Sequence, residues 1–103
     1  MPEMAGEKMN VRVQYFGYIR NMLNKKEDIV TLDEGAKLSD ALNKLVDVNG
    51  AAFRKEVYEP GLDDVKMGFS VTINGVFMRQ LGGLNAKLSD GDNVILMSLM
   101  SGG

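Results

Sequence analysis

Two hydrophobic periods run along this chain. Residues 10–16 alternate polar and apolar side chains with β-branched valines among them, the pattern of a half-buried strand that Gly17 ends. Residues 19–23 place Ile19, Met22 and Leu23 on one face of a short helical turn. Residues 27–32 form a second short strand, with Val30 and Leu32 in one phase and Ile29 and Thr31 in the other, closed by Asp33-Glu34-Gly35. The period then changes. Over residues 38–49, Leu38, Ala41, Leu42, Leu45, Val46 and Val48 recur at three-to-four spacing, with Asp40, Asn43, Lys44 and Asp47 elsewhere. This is the main helix, and Gly50 stands where a C-terminal glycine cap belongs.

The second half returns to strands. Residues 51–58 allow a short helix presenting Phe53 and Val57 before Pro60-Gly61 stops it, and residues 62–68 are acidic and irregular. Residues 69–73 alternate cleanly into Asn74-Gly75, a strong hairpin signal because both turn residues tolerate positive φ. Residues 76–78 are the return strand, residues 81–88 a glycine-interrupted connection, Ser89-Asp90-Gly91-Asp92 a turn, and residues 93–99 the last strand. Strands before and after one good helix predict an α+β roll, a mixed sheet of four or five strands packed on that helix. In the last strand Val94 and Leu96 face the helix. Ile95, Met97 and Leu99 then face the other side, an apolar row suited to a partner.

The sequence finishes on Met100-Ser101-Gly102-Gly103. Glycine loses the most freedom on ordering and packs nothing, so two of them do not serve a strand. They suit a carboxylate that is threaded down a narrow channel in another protein. At this glycine content, 12 of 103 residues, such an ending arises by chance in about 1.4% of sequences, and an expression linker also leaves such an end. The tail alone therefore leaves both readings open.

Composition removes whole classes of chemistry. There is no Cys, no His and no Trp. Thiolate and imidazole metal sites, iron–sulfur clusters, Cys nucleophiles and His general bases are thereby excluded. Asp90 and Asp92 flank Gly91 as in part of a calcium loop, but the later bidentate Glu is missing and turn formation is the preferred reading. Asp33-Glu34 and Asp63-Asp64 read as solvated loop charge rather than an acid/base pair, and Lys25-Lys26 as a polar link. A net charge of −2 without charged blocks implies no nucleic-acid partner. No apolar run approaches a membrane span, and residues 1–8 carry Pro2, Glu3 and Glu7 where a signal peptide would be apolar, so the expected compartment is the cytoplasm. The length suits one domain over residues 9–99, with residues 1–8 a disordered extension and residues 100–103 a flexible tail.

Tyr15-Phe16-Gly17 with Ile19-Arg20 and Leu23, Leu32-Asp33-Glu34-Gly35-Ala36, Ile73-Asn74-Gly75, and Leu88-Ser89-Asp90-Gly91-Asp92 running on to Ser101-Gly102-Gly103 together resemble the ubiquitin-like β-grasp sulfur carriers. The MoaD, ThiS and small archaeal modifier branch is the part of that family they are similar to. The chain departs from it in having Ser98-Leu99-Met100 where prolines are common, and in the added lengths of residues 1–8 and 51–68.

The resemblance implies a β-grasp fold and a protein that is itself a substrate rather than an enzyme. An activating enzyme would use ATP and Mg²⁺ to adenylate the carboxylate of Gly103. The acyl group would then pass to sulfur, giving a thiocarboxylate, or to a lysine of a target protein, giving an isopeptide bond. Gly102 and Gly103 would be the reacting end, and Ile95, Met97, Leu99, Met100 and Ser101 the partner-binding residues, with no cofactor bound. At about 3.3 Å per residue the last four residues reach roughly 13 Å. The partners implied are a ubiquitin-activating-type enzyme and either a molybdopterin synthase large subunit, with this chain as the small subunit, or target lysines. A non-covalent β-grasp interaction module is the alternative.

Overall fold

The computed structural model describes residues 7–58, 64–66 and 68–98. Strand β1, Lys8–Gly17, buries Met9, Val11, Val13 and Tyr15 and turns Asn10, Arg12 and Phe16 outward, as its alternation demands. It starts earlier than residue 10. The Lys8 ammonium pairs with the Asp33 carboxylate, and Glu34 donates its N–H to the Glu7 carbonyl at 3.0 Å. Lys8 therefore belongs to the sheet and Glu7 is tied to Glu34, both within the stretch predicted as an extension, whose remaining residues lie outside the described ones.

Helix α1, Tyr18–Leu23, is short and stops at Asn24, a residue with φ of 56°. Strand β2, Glu27–Asp33, pairs antiparallel with β1 and buries Val30 and Leu32, leaving Ile29 outside. Helix α2, Leu38–Asn49, begins where Asp40 accepts the Lys37 N–H at 2.9 Å, one half of a capping box. Its first turn is tied to residues 86–88 by two backbone bonds, Leu38 N–H to the Ala86 carbonyl at 2.8 Å and Leu88 N–H to the Ala36 carbonyl at 3.0 Å. Leu38, Ala41, Leu42 and Leu45 form the buried stripe. Val46 is only half-buried and Val48 is 59% exposed, so neither completes the predicted stripe. At 100° per residue Val48 lies about 70° from the stripe's centre, on its flank.

Gly50, at φ 87°, separates α2 from helix α3, Ala51–Val57. Phe53 and Val57 are fully buried, and the Phe53 ring meets Tyr15 edge-on at 6.4 Å. Since Tyr15 is on the helix side of β1, α3 shares that side with α2, and among the described residues no helix covers the opposite, open face of the sheet. Strands β3, Phe69–Ile73, and β4, Val76–Phe77, flank the predicted Asn74-Gly75 turn, both of whose residues have positive φ. Met78, expected in β4, instead starts a 3-10 turn, Met78–Leu81, and is buried. Val76 pairs with the buried Ile73, so a continued strand would also have faced Met78 inward; the turn keeps it in the core while leading the chain out of the sheet. After a second 3-10 turn, Gly83–Asn85, strand β5, Asn93–Ser98, closes the sheet.

The sheet order is β2-β1-β5-β3-β4, five strands, with β1 and β5 parallel and every other pair antiparallel. The α+β roll with a mixed sheet on one main helix is thus present, with α1 and α3 added. No described helix is long and apolar enough to cross a membrane.

One polar cluster closes the helix side. The Tyr15 hydroxyl donates to Asp28 at 2.7 Å and accepts from the Asn49 amide at 3.5 Å, and Lys25 donates to Asp28 at 3.1 Å. Burial, then the bond to Asp28, then the Asp28 charge hold the Tyr15 phenol above its ordinary range. Because the folded value is raised, the contribution is complete below the free-tyrosine value near 10 and is lost as pH rises beyond it, where the unfolded chain ionises and the folded one does not. Urea midpoints measured from pH 8 to pH 11 are expected to fall above pH 10, and to fall less in Tyr15→Phe. The difference between the two slopes is up to about 1.4 kcal/mol per pH unit. Parallel curves for the two chains would show that Tyr15 is not the group responsible.

Candidate functional site

Alternation along β5 settles which of its side chains face the core. Val94 and Leu96 are fully buried, and Ile95 and Met97 lie half-buried on the open face, the phase predicted for them. Leu99, Met100, Ser101, Gly102 and Gly103 lie outside the described residues.

The registers place four side chains around Ile95 and Met97. Ile95 stands between Gln14 of β1 and Thr72 of β3, and Met97 between Phe16 and Ser70. Phe77 of β4 pairs with Thr72 and so joins the Ile95 row. Phe16 is 38% exposed and Phe77 58%. Phe16, Met97, Ile95 and Phe77 thus form an apolar strip on the open face, broken by Thr72 and Ser70. At its lower end the Asn93 amide donates to the Gln14 side-chain oxygen at 3.0 Å.

Phe16 and Phe77 were not among the site residues the sequence suggested. Phe16 falls in phase with Asn10, Arg12 and Gln14, which does signal an outward ring, but only the parallel β1–β5 pairing sets it beside Met97. A cleft of about 330 Å³ opens beside the strip at the free edge of β3, between Phe69, Val71, Phe77 and Met78.

Where β5 ends, the chain is held tightly. Ser98 pairs with Gly17 on one side and Phe69 on the other, and is 3% exposed. Its hydroxyl accepts the Ile19 N–H at 2.7 Å. That N–H is one of the orphan donors of the first turn of α1, which its own N-cap residue, Gly17, has no side chain to satisfy. Gly17 has φ of 77°, and a Cβ built on it would lie 2.0 Å from the Ser98 carbonyl oxygen.

The remaining charged candidates do structural work. Asp90 accepts the Asn10 N–H, and Asp92 accepts from Ser89 N–H and the Asn74 amide, each at 2.8 Å, so this pair ties turns to β1 and to the hairpin. Asp64 pairs with Arg79 at 3.2 Å and Lys25 with Asp28, while Asp63 lies outside the described residues. Lys8, and after it the charge of Lys44, hold the Asp33 carboxyl below its usual range.

A comparison with curated protein sequences found no match. Solved structures do match. Small archaeal modifier protein 1 from Methanosarcina acetivorans is 25% identical, with 95% of this chain and 100% of that one aligned and a TM-score of 0.73. A putative molybdopterin converting factor subunit 1 from Pyrococcus furiosus is 26% identical over 89% of this chain and 99% of that one, TM-score 0.69. A chain of the BexX/CysO complex from Amycolatopsis orientalis matches at 20% identity over 90% and 99%, TM-score 0.71. The fold is the ubiquitin-like β-grasp. The sequence profile of the ThiS family matches residues 13–103, from mid-β1 to the last glycine, and the chain therefore belongs to the ThiS family of ubiquitin-like sulfur carriers and modifiers.

Proposed function

We propose that the chain is an acyl donor whose Gly103 carboxylate is activated by another protein. The observation that carries this reading is the extent of the family match: it runs through Gly102 to residue 103, so the glycine tail belongs to the shared region. A carboxylate is a poor acyl donor because its oxygen is a poor leaving group. In the proposed step a Gly103 oxygen attacks the α-phosphorus of ATP, Mg²⁺ offsets phosphate charge, and pyrophosphate leaves. AMP then departs when a sulfur nucleophile attacks the acyl carbon, leaving a thiocarboxylate, or when the acyl group passes to a lysine amine and forms an isopeptide bond. The related molybdopterin converting factor subunit supports the sulfur branch, and the related small modifier supports the lysine branch. A cytoplasmic setting, where ATP is abundant, suits both.

The test is an intact mass of the chain after incubation with an adenylating enzyme, ATP, Mg²⁺ and a sulfur donor. The expected product gains the mass of one oxygen-to-sulfur exchange, or, with cell extract in place of the sulfur donor, appears joined through Gly103 to lysines, read after trypsin as a remnant that begins at Leu88. An unmodified chain in both incubations would overturn the proposal.

The activating enzyme docks, in this reading, on the strip of Phe16, Ile95, Met97 and Phe77, which includes the last outward-facing side chain of β5 before the tail. Burying one such anchor contributes more than about 1 kcal/mol. Met97→Lys is therefore expected to raise the carrier concentration for half-maximal activation about fivefold or more. Ile29→Lys, at an equally apolar open-face position on β2, 56% exposed, changes it by less than about twofold. Equal effects from the two variants would place the dock elsewhere.

A further inference from the structure

We propose that Gly17, Ile19 and Ser98 form a clamp that sets where and in which direction the tail leaves the body, with Ser98 as a positioning residue for tail delivery. The inference rests on the acyl-donor reading above. Ser98 is held on three sides: by its pairing with Gly17 and with Phe69, and by the 2.7 Å bond its buried hydroxyl accepts from the Ile19 N–H. Its carbonyl lies so close to Gly17 that a Cβ there would approach to 2.0 Å. A peptide unit is planar, so a carbonyl fixed in orientation fixes the exit direction of the chain at that residue.

The clamp also sets length. With Ser98 held, the five residues 99–103 that follow it in the sequence make up the tail. At about 3.3 Å per residue they reach roughly 17 Å. If the end of β5 frays, Met97 and Ser98 join the free segment, and both must be ordered again when the tail is threaded. Ordering each residue's backbone shifts an equilibrium by roughly tenfold. A hydroxyl is suited to this place: alanine would leave the Ile19 N–H buried without an acceptor.

Two measurements on the full chain test the clamp. Digestion with carboxypeptidase Y reads the root without any partner. The wild type is expected to stop at Ser98, and Ser98→Ala to be trimmed into β5; identical stopping points would overturn the clamp. ATP–pyrophosphate exchange with the adenylating enzyme reads delivery. Ser98→Ala is expected to lose about 10- to 100-fold in kcat/KM well below its melting temperature. Val30→Ala, which weakens the core in β2 away from the clamp, is expected to lose less than about threefold. Chains ending at residue 98, with Ser or Ala there, should inhibit equally as competitors, showing that the body still docks. Equal losses in Ser98→Ala and Val30→Ala would reduce Ser98 to a stability role and overturn the proposal. If wild type supports no exchange, the acyl-donor reading fails instead, and the carboxypeptidase result still stands for the clamp.

Discussion

Gly17→Ala is expected to lower stability by about 4 kcal/mol or more. Two costs combine. At φ 77° and ψ −145° the backbone is in a region that side chains with a Cβ avoid, worth about 1–3 kcal/mol. The second cost is contact: the new Cβ would lie 2.0 Å from a backbone oxygen, which no rotamer change relieves. Strands β1 and β5 must part at that end, and the Ser98–Ile19 hydrogen bond, worth about 1 kcal/mol, goes with them. Against a total stability of about 5–15 kcal/mol for a domain of this kind, the loss is large. The melting temperature should drop by roughly 20 °C. Gly91→Ala is the comparison, since Gly91 also has positive φ, 87°, but nothing within 4 Å of an added Cβ. It should cost only the backbone strain, about 1–2 kcal/mol. A Gly17→Ala chain melting within a few degrees of Gly91→Ala would show that the strands accommodate the methyl and that the approach to Ser98 is not tight.

Removing Gly102 and Gly103 is expected to do the reverse: abolish activation and leave the fold alone. Both residues follow β5 in the sequence, and the described core and sheet are complete without them. The thermal midpoint should therefore stay within about 2 °C of wild type, a few tenths of a kcal/mol. On the proposed function adenylation should fall to background, because the acyl donor would now be Ser101, whose Cβ adds bulk that the two glycines lack. The truncated chain still carries Ile95, Met97, Phe16 and Phe77, and so should compete with the intact chain for the activating enzyme. Full biological activity after this deletion would favour the other reading, a β-grasp module that binds without covalent chemistry.

These two residues sets were unequally legible in the sequence. Local rules were sufficient for α2, whose bounds match its three-to-four spacing, for the Asn74-Gly75 turn, and for the phase of β5. In each case the cause of the structure lies within a few residues. The relation of Phe16 to Met97 does not, because a parallel pair is made between strands from opposite ends of the chain. The bond between Ser98 and Ile19 spans 79 positions and leaves no trace in either neighbourhood. Gly17 was readable as a strand breaker, but its closeness to Ser98 was not. Glu56, buried to 8% exposure on α3, was equally hidden, since Phe53 and Val57 set the face and Glu56 lies beside it.

The position of β5 in the sheet bears on how the protein is made. It is the strand between β1 and β3, so a ribosome that has not reached residue 98 has produced two separate pieces, β1–β2 and β3–β4, each with an unpaired edge. Two-stranded pieces are marginal in water, and open edges invite aggregation or proteolysis. Chains broken off before β5 therefore cannot pass as folded protein. Folding itself acts as a proofreading step, since only molecules whose synthesis has gone far enough to include β5 form the complete sheet.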